Sequence, residues 1–226
     1  MNCSRDNIAV VIVGGGASRR YGSGNKLLTL LKGVPLFVYS LRNLAACAAP
    51  GNLIFVVPSG QRELFAEAAD RFVPELEITW VDGGNSRPES VRNGLGAVSL
   101  KQGVVAIHDA ARPLADANLL EALLQEMGEL AGIIPGKPVT DTIKRCMPDR
   151  IIQETVDRTP LWRVETPQLF DVEKLRMAYA SLGDAEPTDD AGVMEMAGFP
   201  VKIYRNSEMN LKLTYPEEFR LLEELI

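Results

Sequence analysis

Between residues 14 and 26 the chain reads Gly14-Gly15-Gly16-Ala17-Ser18-Arg19-Arg20-Tyr21-Gly22-Ser23-Gly24-Asn25-Lys26, a glycine-rich stretch that carries three cations. It follows directly on the apolar run Ile8 to Val13. A turn of this kind at the carboxyl end of a strand, with exposed backbone N–H groups and positive side chains, suits a polyphosphate. A surface loop with solvated charges is the other reading. Two familiar versions fail. A dinucleotide fingerprint starting at Gly14 needs a third glycine where Arg19 stands, and the second apolar run ends Val56-Val57-Pro58 with no acidic residue. A Walker A loop needs Gly-Lys followed by Ser or Thr, whereas Lys26 lies between Asn25 and Leu27.

A second cluster, Asp82-Gly83-Gly84-Asn85-Ser86-Arg87-Pro88-Glu89-Ser90-Val91, again joins a strand end to a helix, and on its own it is an ordinary capped loop. The third, His108-Asp109-Ala110-Ala111-Arg112-Pro113, sets Asp109 just past a strand's end. There it either stabilises a turn or holds Mg²⁺, which takes one or two carboxylates together with substrate phosphates. His108 is the chain's only histidine and has no cysteine beside it. A packing or hydrogen-bonding role follows, and Ser-His-Asp and metal-histidine mechanisms are disfavoured.

These loops need a scaffold that brings strand ends together. The 226 residues are 46% hydrophobic and 24% charged, enough to bury a core without disulfides or a structural metal. Short apolar runs alternate with amphipathic stretches, the pattern of an α/β fold. Strands are predicted at Ile8 to Val13, Leu53 to Val57, Glu77 to Val81, Val104 to Ile107, Gly132 to Ile134 and Val201 to Tyr204. Most are nearly continuous in Val and Ile, as in a mostly parallel sheet with helices on both faces. Pro35 to Ala48 reads as a helix opened by proline. Asp116 caps another, and Thr214 to Glu217 has capping-box spacing. Residues 135 to 162 break the rhythm. Period-two stretches flank Met147-Pro148-Asp149, which predicts a β-hairpin arm inserted in a single domain spanning 1 to 226. An isolated hairpin is marginal in water, so it is expected to pack on another subunit.

The net charge of −6 argues against a general nucleic-acid binder. The apolar runs fall short of a membrane span, and no cleavage pattern follows the N-terminal one. The expectation is a cytoplasmic protein. Cys3, Cys47 and Cys146 form no CxxC pair, and reduced thiols are expected.

Further signals are Thr140-Asp141-Thr142-Ile143-Lys144, Asp157-Arg158, Trp162 to Gln168, Thr188-Asp189-Asp190-Ala191 and Asn210-Leu211-Lys212-Leu213-Thr214. In this order, with the three loops, they make the whole chain resemble the 2-C-methyl-D-erythritol 4-phosphate cytidylyltransferase family. The resemblance implies a Rossmann-like nucleotidyltransferase fold, a homodimer with embracing arms, and a reaction of CTP with a polyol phosphate that uses Mg²⁺. It assigns Arg20, Lys26 and Lys212 to the triphosphate and the α-phosphate, and Gly14, Gly15 and Gly16 to close backbone approach. Gly84, Asn85 and Ser90 fall to the cytosine, and Asp109, with Ala110, to metal and ribose. Thr142, Arg158 and Thr166 receive the polyol phosphate, Thr142 and Arg158 coming from the partner's arm, with Thr188 and Arg112 in support. Asn25 stands where many relatives carry proline, which would loosen the loop. Met209 stands where an acidic residue is common, so that position supplies no second metal carboxylate. A ribitol 5-phosphate cytidylyltransferase and a catalytically silent nucleotide-binding subunit are the rival readings. Retention of Arg20 and Lys26 speaks against the silent subunit, and Asp141 to Lys144 with Leu161-Trp162 favour methylerythritol over ribitol.

Overall fold

The computed structural model describes residues 7–15 and 25–226. Gly16 and Arg20 lie outside the described residues. The chain first lays down β1 (Ile8–Val13), a short hairpin of β2 (Leu30–Leu31) and β3 (Val34–Pro35), helix α1 (Leu36–Leu44) and β4 (Leu53–Val57). Then come α2 (Arg62–Phe72), β5 (Thr79–Asp82), α3 (Arg87–Ala97), β6 (Val104–Asp109), α4 (Ala117–Met127) and β7 (Gly132–Pro138). The hairpin β8 (Ile143–Cys146) and β9 (Ile152–Val156) leads into β10 (Trp162–Val164) and β11 (Gln168–Asp171). Helices α5 (Val172–Ser181) and α6 (Asp190–Met196), strand β12 (Val201–Arg205) and α7 (Glu218–Leu225) complete it.

The main sheet runs β10-β7-β11-β6-β1-β4-β5, with β12 also paired to β7. Strands β5, β4, β1 and β6 are parallel, and β11 enters antiparallel between β6 and β7. Alternation along the strands builds two cores. Val10, Ile12, Phe55 and Val57 face α1, α2 and α4, while Val11, Ile54 and Val56 face α3, α5 and α6. Edge-to-face and tilted contacts among Phe37, Phe55 and Phe65, at 4.9 to 5.8 Å between ring centroids, fill the first. Gly94 lets α3 lie on the sheet, because a Cβ there would sit 2.6 Å from Val11 Cγ1.

Several sequence-based boundaries move. Strand β5 starts at Thr79 because its one partner, β4, first pairs with it at Ile54. The helix expected over Pro35 to Ala48 stops at Leu44 and tightens into a 3-10 turn over Ala45–Cys47, while Pro35 belongs to β3 and only precedes the helix. Glu217 precedes the last helix without a side-chain capping bond, and it is the carboxylate of Glu218, the first helical residue, that reaches back to accept from the N–H groups of Thr214 and Tyr215. Asp116 caps α4 as expected, accepting from Leu119 N–H at 3.0 Å. The hairpin turns at Met147 to Arg150 as expected, but residues 135–138 belong to β7 in the main sheet. The part that leaves the body lies between Val139 and Leu161, where Val139 N–H donates to Leu161 C=O at 3.0 Å. No helix among the described residues is long and apolar enough to cross a membrane.

Candidate active site

Parallel strands β5, β4, β1 and β6 present their carboxyl ends on one side, and the chain, after running from β1 outward through β4 to β5, crosses back to β6 on the other side of β1. A crevice at such a reversal is where open α/β sheets bind ligands. The first glycine loop is pinned there by Gly14 N–H donating to Val56 C=O at 2.8 Å. A Cβ on Gly15 would lie 3.0 Å from Ser90 Oγ, so the first loop and the second touch through a missing side chain. Ser90, buried, accepts from Gly84 N–H at 3.0 Å and donates to Ser86 C=O at 2.9 Å. Glu89 accepts from Asn85 N–H at 2.6 Å, and Ser86 caps α3 by accepting from Glu89 N–H. A Cβ on Gly84 would overlap Glu89, 2.2 Å from its Cγ. Glycine is therefore required by packing at this position.

Asp109 ends β6 beside three cations. Lys212 Nζ donates to Oδ2 at 2.6 Å, Arg112 Nε stands 3.8 Å from Oδ2, and Arg87 Nε stands 3.7 Å from Oδ1. Burial would raise the carboxyl's pKa, but Lys212, Arg87 and Arg112 outweigh it and hold Asp109 well below the usual carboxylate range. With Asp190 paired to Arg87 at 2.7 Å, two carboxylates face three cations. A chain of net charge −6 thus concentrates positive charge at one crevice. Lys26 Nζ reaches Leu213 C=O at 2.8 Å, which ties the first loop to the segment carrying Lys212. Asn25, where the described residues resume after that loop, is itself held. Its Oδ1 accepts from Leu27 N–H at 3.0 Å and its Nδ2 donates to Gln61 Oε1 at 2.9 Å.

Thr166 and Ala110 are both engaged with neighbouring protein groups. Thr166 is buried, its Oγ1 accepting from Asp109 N–H at 3.0 Å and lying 3.2 Å from His108 Nδ1. His108 Nε2 lies 3.1 Å from Arg112 C=O. A carbonyl only accepts, so Nε2 carries the proton, Nδ1 is the lone-pair nitrogen, and the Thr166 hydroxyl donates to it. One Thr166 lone pair is left for a ligand. Ala110 faces the core, with its N–H on Val13 C=O and its C=O on Ser40 Oγ. It shapes the loop and presents no side chain to the crevice. Thr142 and Arg158 are exposed on the arm, where Arg158 donates to Thr140 C=O. Thr188 is exposed just before Asp189, which accepts from Gln168 Nε2 at 2.9 Å. Met209 is exposed, and among the described residues no three His, Cys, Asp or Glu side chains cluster as a metal site. Sequence reasoning overlooked Arg87 and Asp190, although both stand inside motifs it singled out.

A family model for 2-C-methyl-D-erythritol 4-phosphate cytidylyltransferase matches residues 8–226. A protein of that name from Symbiobacterium thermophilum is 37% identical over 97% of this chain and 92% of its own length. Another from Nostoc punctiforme is 38% identical over 96% and 97%. Among solved structures, a 4-diphosphocytidyl-2C-methyl-D-erythritol synthase is similar at a TM-score of 0.80 and 29% identity, covering 98% of this chain and 99% of that one. The 2-C-methyl-D-erythritol 4-phosphate cytidylyltransferase of Thermus thermophilus is similar at a TM-score of 0.78 and 26% identity, covering 96% and 98%. With the family model and full-length relatives in agreement, this chain belongs to the 2-C-methyl-D-erythritol 4-phosphate cytidylyltransferase family.

Proposed function

We propose that this chain transfers the cytidylyl group of CTP to 2-C-methyl-D-erythritol 4-phosphate, releasing pyrophosphate and forming 4-diphosphocytidyl-2-C-methyl-D-erythritol for non-mevalonate isoprenoid biosynthesis. The carrying observation is the convergence of Gly14 and Gly15, the Gly83 to Ser90 loop and the Asp109–Lys212 pair at the carboxyl ends of β1, β5 and β6, in a chain of this family.

A phosphate monoester has a second pKa of about 6, so the attacking oxygen is largely ionised at neutral pH and no general base is required. His108 fits that demand. It is buried, one nitrogen donates to Arg112 and the other accepts from Thr166, so no lone pair remains for proton abstraction. What remains is to hold two anions together and offset charge at the α-phosphate. Arg20, Lys26 and Lys212 do this from the first loop and the C-terminal segment. Gly14, Gly15 and Gly16 admit the triphosphate against backbone, and Gly84, Asn85 and Ser90 read the cytosine. The polyol phosphate is met by Arg112 and by the remaining Thr166 lone pair, which accepts from a polyol hydroxyl, with Thr188 in support, and by Thr142 and Arg158 of a second copy's arm in a homodimer. The setting is cytoplasmic.

One carboxylate beside a polyphosphate suits Mg²⁺, which keeps several waters and takes phosphate oxygens, and would be held by Asp109. When bound it neutralises charge on the phosphates.

The test is pyrophosphate release from CTP and Mg²⁺ with a panel of polyol phosphates. Turnover with methylerythritol phosphate is expected. Turnover with ribitol 5-phosphate alone would overturn the substrate assignment.

A further inference from the structure

Asp190, in the Thr188 to Ala191 motif, takes no part in the chemistry above, yet it is fully buried. Its Oδ2 accepts from Arg87 Nη2 at 2.7 Å, and its Oδ1 accepts from the Tyr179 hydroxyl at 2.6 Å. Each oxygen therefore has its own donor. Arg87 lies between two carboxylates. It is bonded to Asp190 but stands 3.7 Å from Asp109 Oδ1, beyond a hydrogen bond. Its Nη1 is buried without a partner among the described residues, so the guanidinium has donor capacity to spare. Lys212 and Arg112 both address Oδ2 of Asp109. Among the described ion pairs, Arg87 alone faces Oδ1.

We propose that Asp190 is a positioning residue that holds the Arg87 guanidinium off Asp109, keeping Asp109 Oδ1 open to a nucleotide-borne cation. Without the charge of Asp190, Arg87 has one carboxylate left to neutralise it. A buried guanidinium closes on such a partner to about 2.8 Å, and Oδ1 is then occupied. Because Arg87 opens α3, the same movement drags the start of the helix that carries Glu89 and Ser90.

The inference rests on the assignment of Asp109 to the cation, and the probe is Mn²⁺ binding to the intact protein in the presence of CTP, without a polyol phosphate. Asp190→Asn keeps the shape and removes the charge. It is expected to weaken Mn²⁺ binding about tenfold, the usual effect of losing a group that orients a metal ligand. Adding Arg87→Gln to Asp190→Asn removes the competitor for Oδ1, and binding should recover to within about threefold of the unaltered protein. Tyr179→Phe removes a hydrogen bond from the other oxygen of Asp190 but leaves Arg87 held. It should lower the thermal midpoint without weakening Mn²⁺ binding. A double variant that binds no better than Asp190→Asn, or a tenfold loss in Tyr179→Phe, would make Asp190 a purely structural residue and overturn the proposal. A tenfold loss in Tyr179→Phe overturns the proposal even if Asp190→Asn fails to fold. Equal binding by Asp190→Asn and the unaltered protein refutes the positioning role alone. No Mn²⁺ binding with CTP by the unaltered protein refutes the assignment of Asp109 as well.

Discussion

The single histidine makes the buried network around Asp109 measurable through stability. Burial is the main force on His108, and with Arg112 and Lys212 it outweighs the opposing pull of Asp109 and the bond to Arg112 C=O, lowering the pKa to about 4. The unfolded chain binds a proton on this ring below about pH 6.5, whereas the folded chain does not until near 4. His108 therefore contributes its full share of stability above about 6.5. The share declines as pH falls through that window and is gone below about 4. At about 1.36 kcal/mol per pH unit, the loss is on the order of 3 kcal/mol. Urea unfolding at intervals between about pH 4 and 7 measures it, with His108→Gln as the reference that lacks the titrating ring. The two stability curves should converge as pH falls, because only the unaltered protein carries the steep segment. In parallel, the lone imidazole should give one set of nuclear magnetic resonance signals that stays neutral to about pH 5. Parallel stability curves, or a folded-state imidazole that titrates near 6.5, would refute the lowered pKa, and ring nitrogen shifts with the proton on Nδ1 would refute the tautomer derived from Arg112 C=O.

Lys26→Ala or Arg20→Ala should lower turnover by roughly 10² to 10³, the scale for losing one preorganised charge-stabilising group, and near-normal turnover in either would return that cation to the solvated surface. Gly84→Ala must expel Glu89, whose carboxylate holds Asn85 N–H at 2.6 Å. Steady-state kinetics should show KM for CTP rising about tenfold and the preference for CTP over UTP shrinking, since mispaired buried groups cost about 1 to 3 kcal/mol each. Mixing Lys26→Ala with Arg158→Ala under subunit exchange should restore about a quarter of full activity, because about half the dimers are mixed and each of those has one intact site. Failure to complement despite exchange would mean that the arm serves its own chain.

The strand cores and the loops were open to sequence reasoning because both are local. Ile8 to Val13 and Leu53 to Val57 are strands at the residues where continuous apolar runs place them, and Ser86 and Asp116 cap the helices they precede. What escaped depends on groups far apart in the chain. Arg87 and Asp190 are separated by 103 residues, as are Asp109 and Lys212. No periodicity predicts which of two neighbouring carboxylates a guanidinium will bond. The orientation of Thr166 escaped for a related reason. Its hydroxyl turns toward His108 and Asp109 N–H because β11 runs against β6, which brings the residues before Gln168 to the end of β6. The carboxylate that reaches back to Thr214 and Tyr215 comes from one position later than the spacing suggests, because glutamates stand at both 217 and 218 and the chain's path at Tyr215 and Pro216 decides between them.

The feet of the arm are neighbours. Val139 N–H donates to Leu161 C=O, and Trp162 pairs with Pro138 in the main sheet. An insertion whose ends already meet places little demand on the body that carries it, since changing the length of such an excursion costs only slowly growing loop entropy. The arm therefore behaves as a cassette. Exchanging its sequence between relatives is expected to leave the register of β7 and β10 unchanged. If Thr142 and Arg158 meet the acceptor substrate, as proposed, an exchanged arm carries acceptor preference and subunit pairing together, while the nucleotide half of the site stays with the host sheet. Acceptor range in this scaffold is then free to diversify by recombination of one short segment.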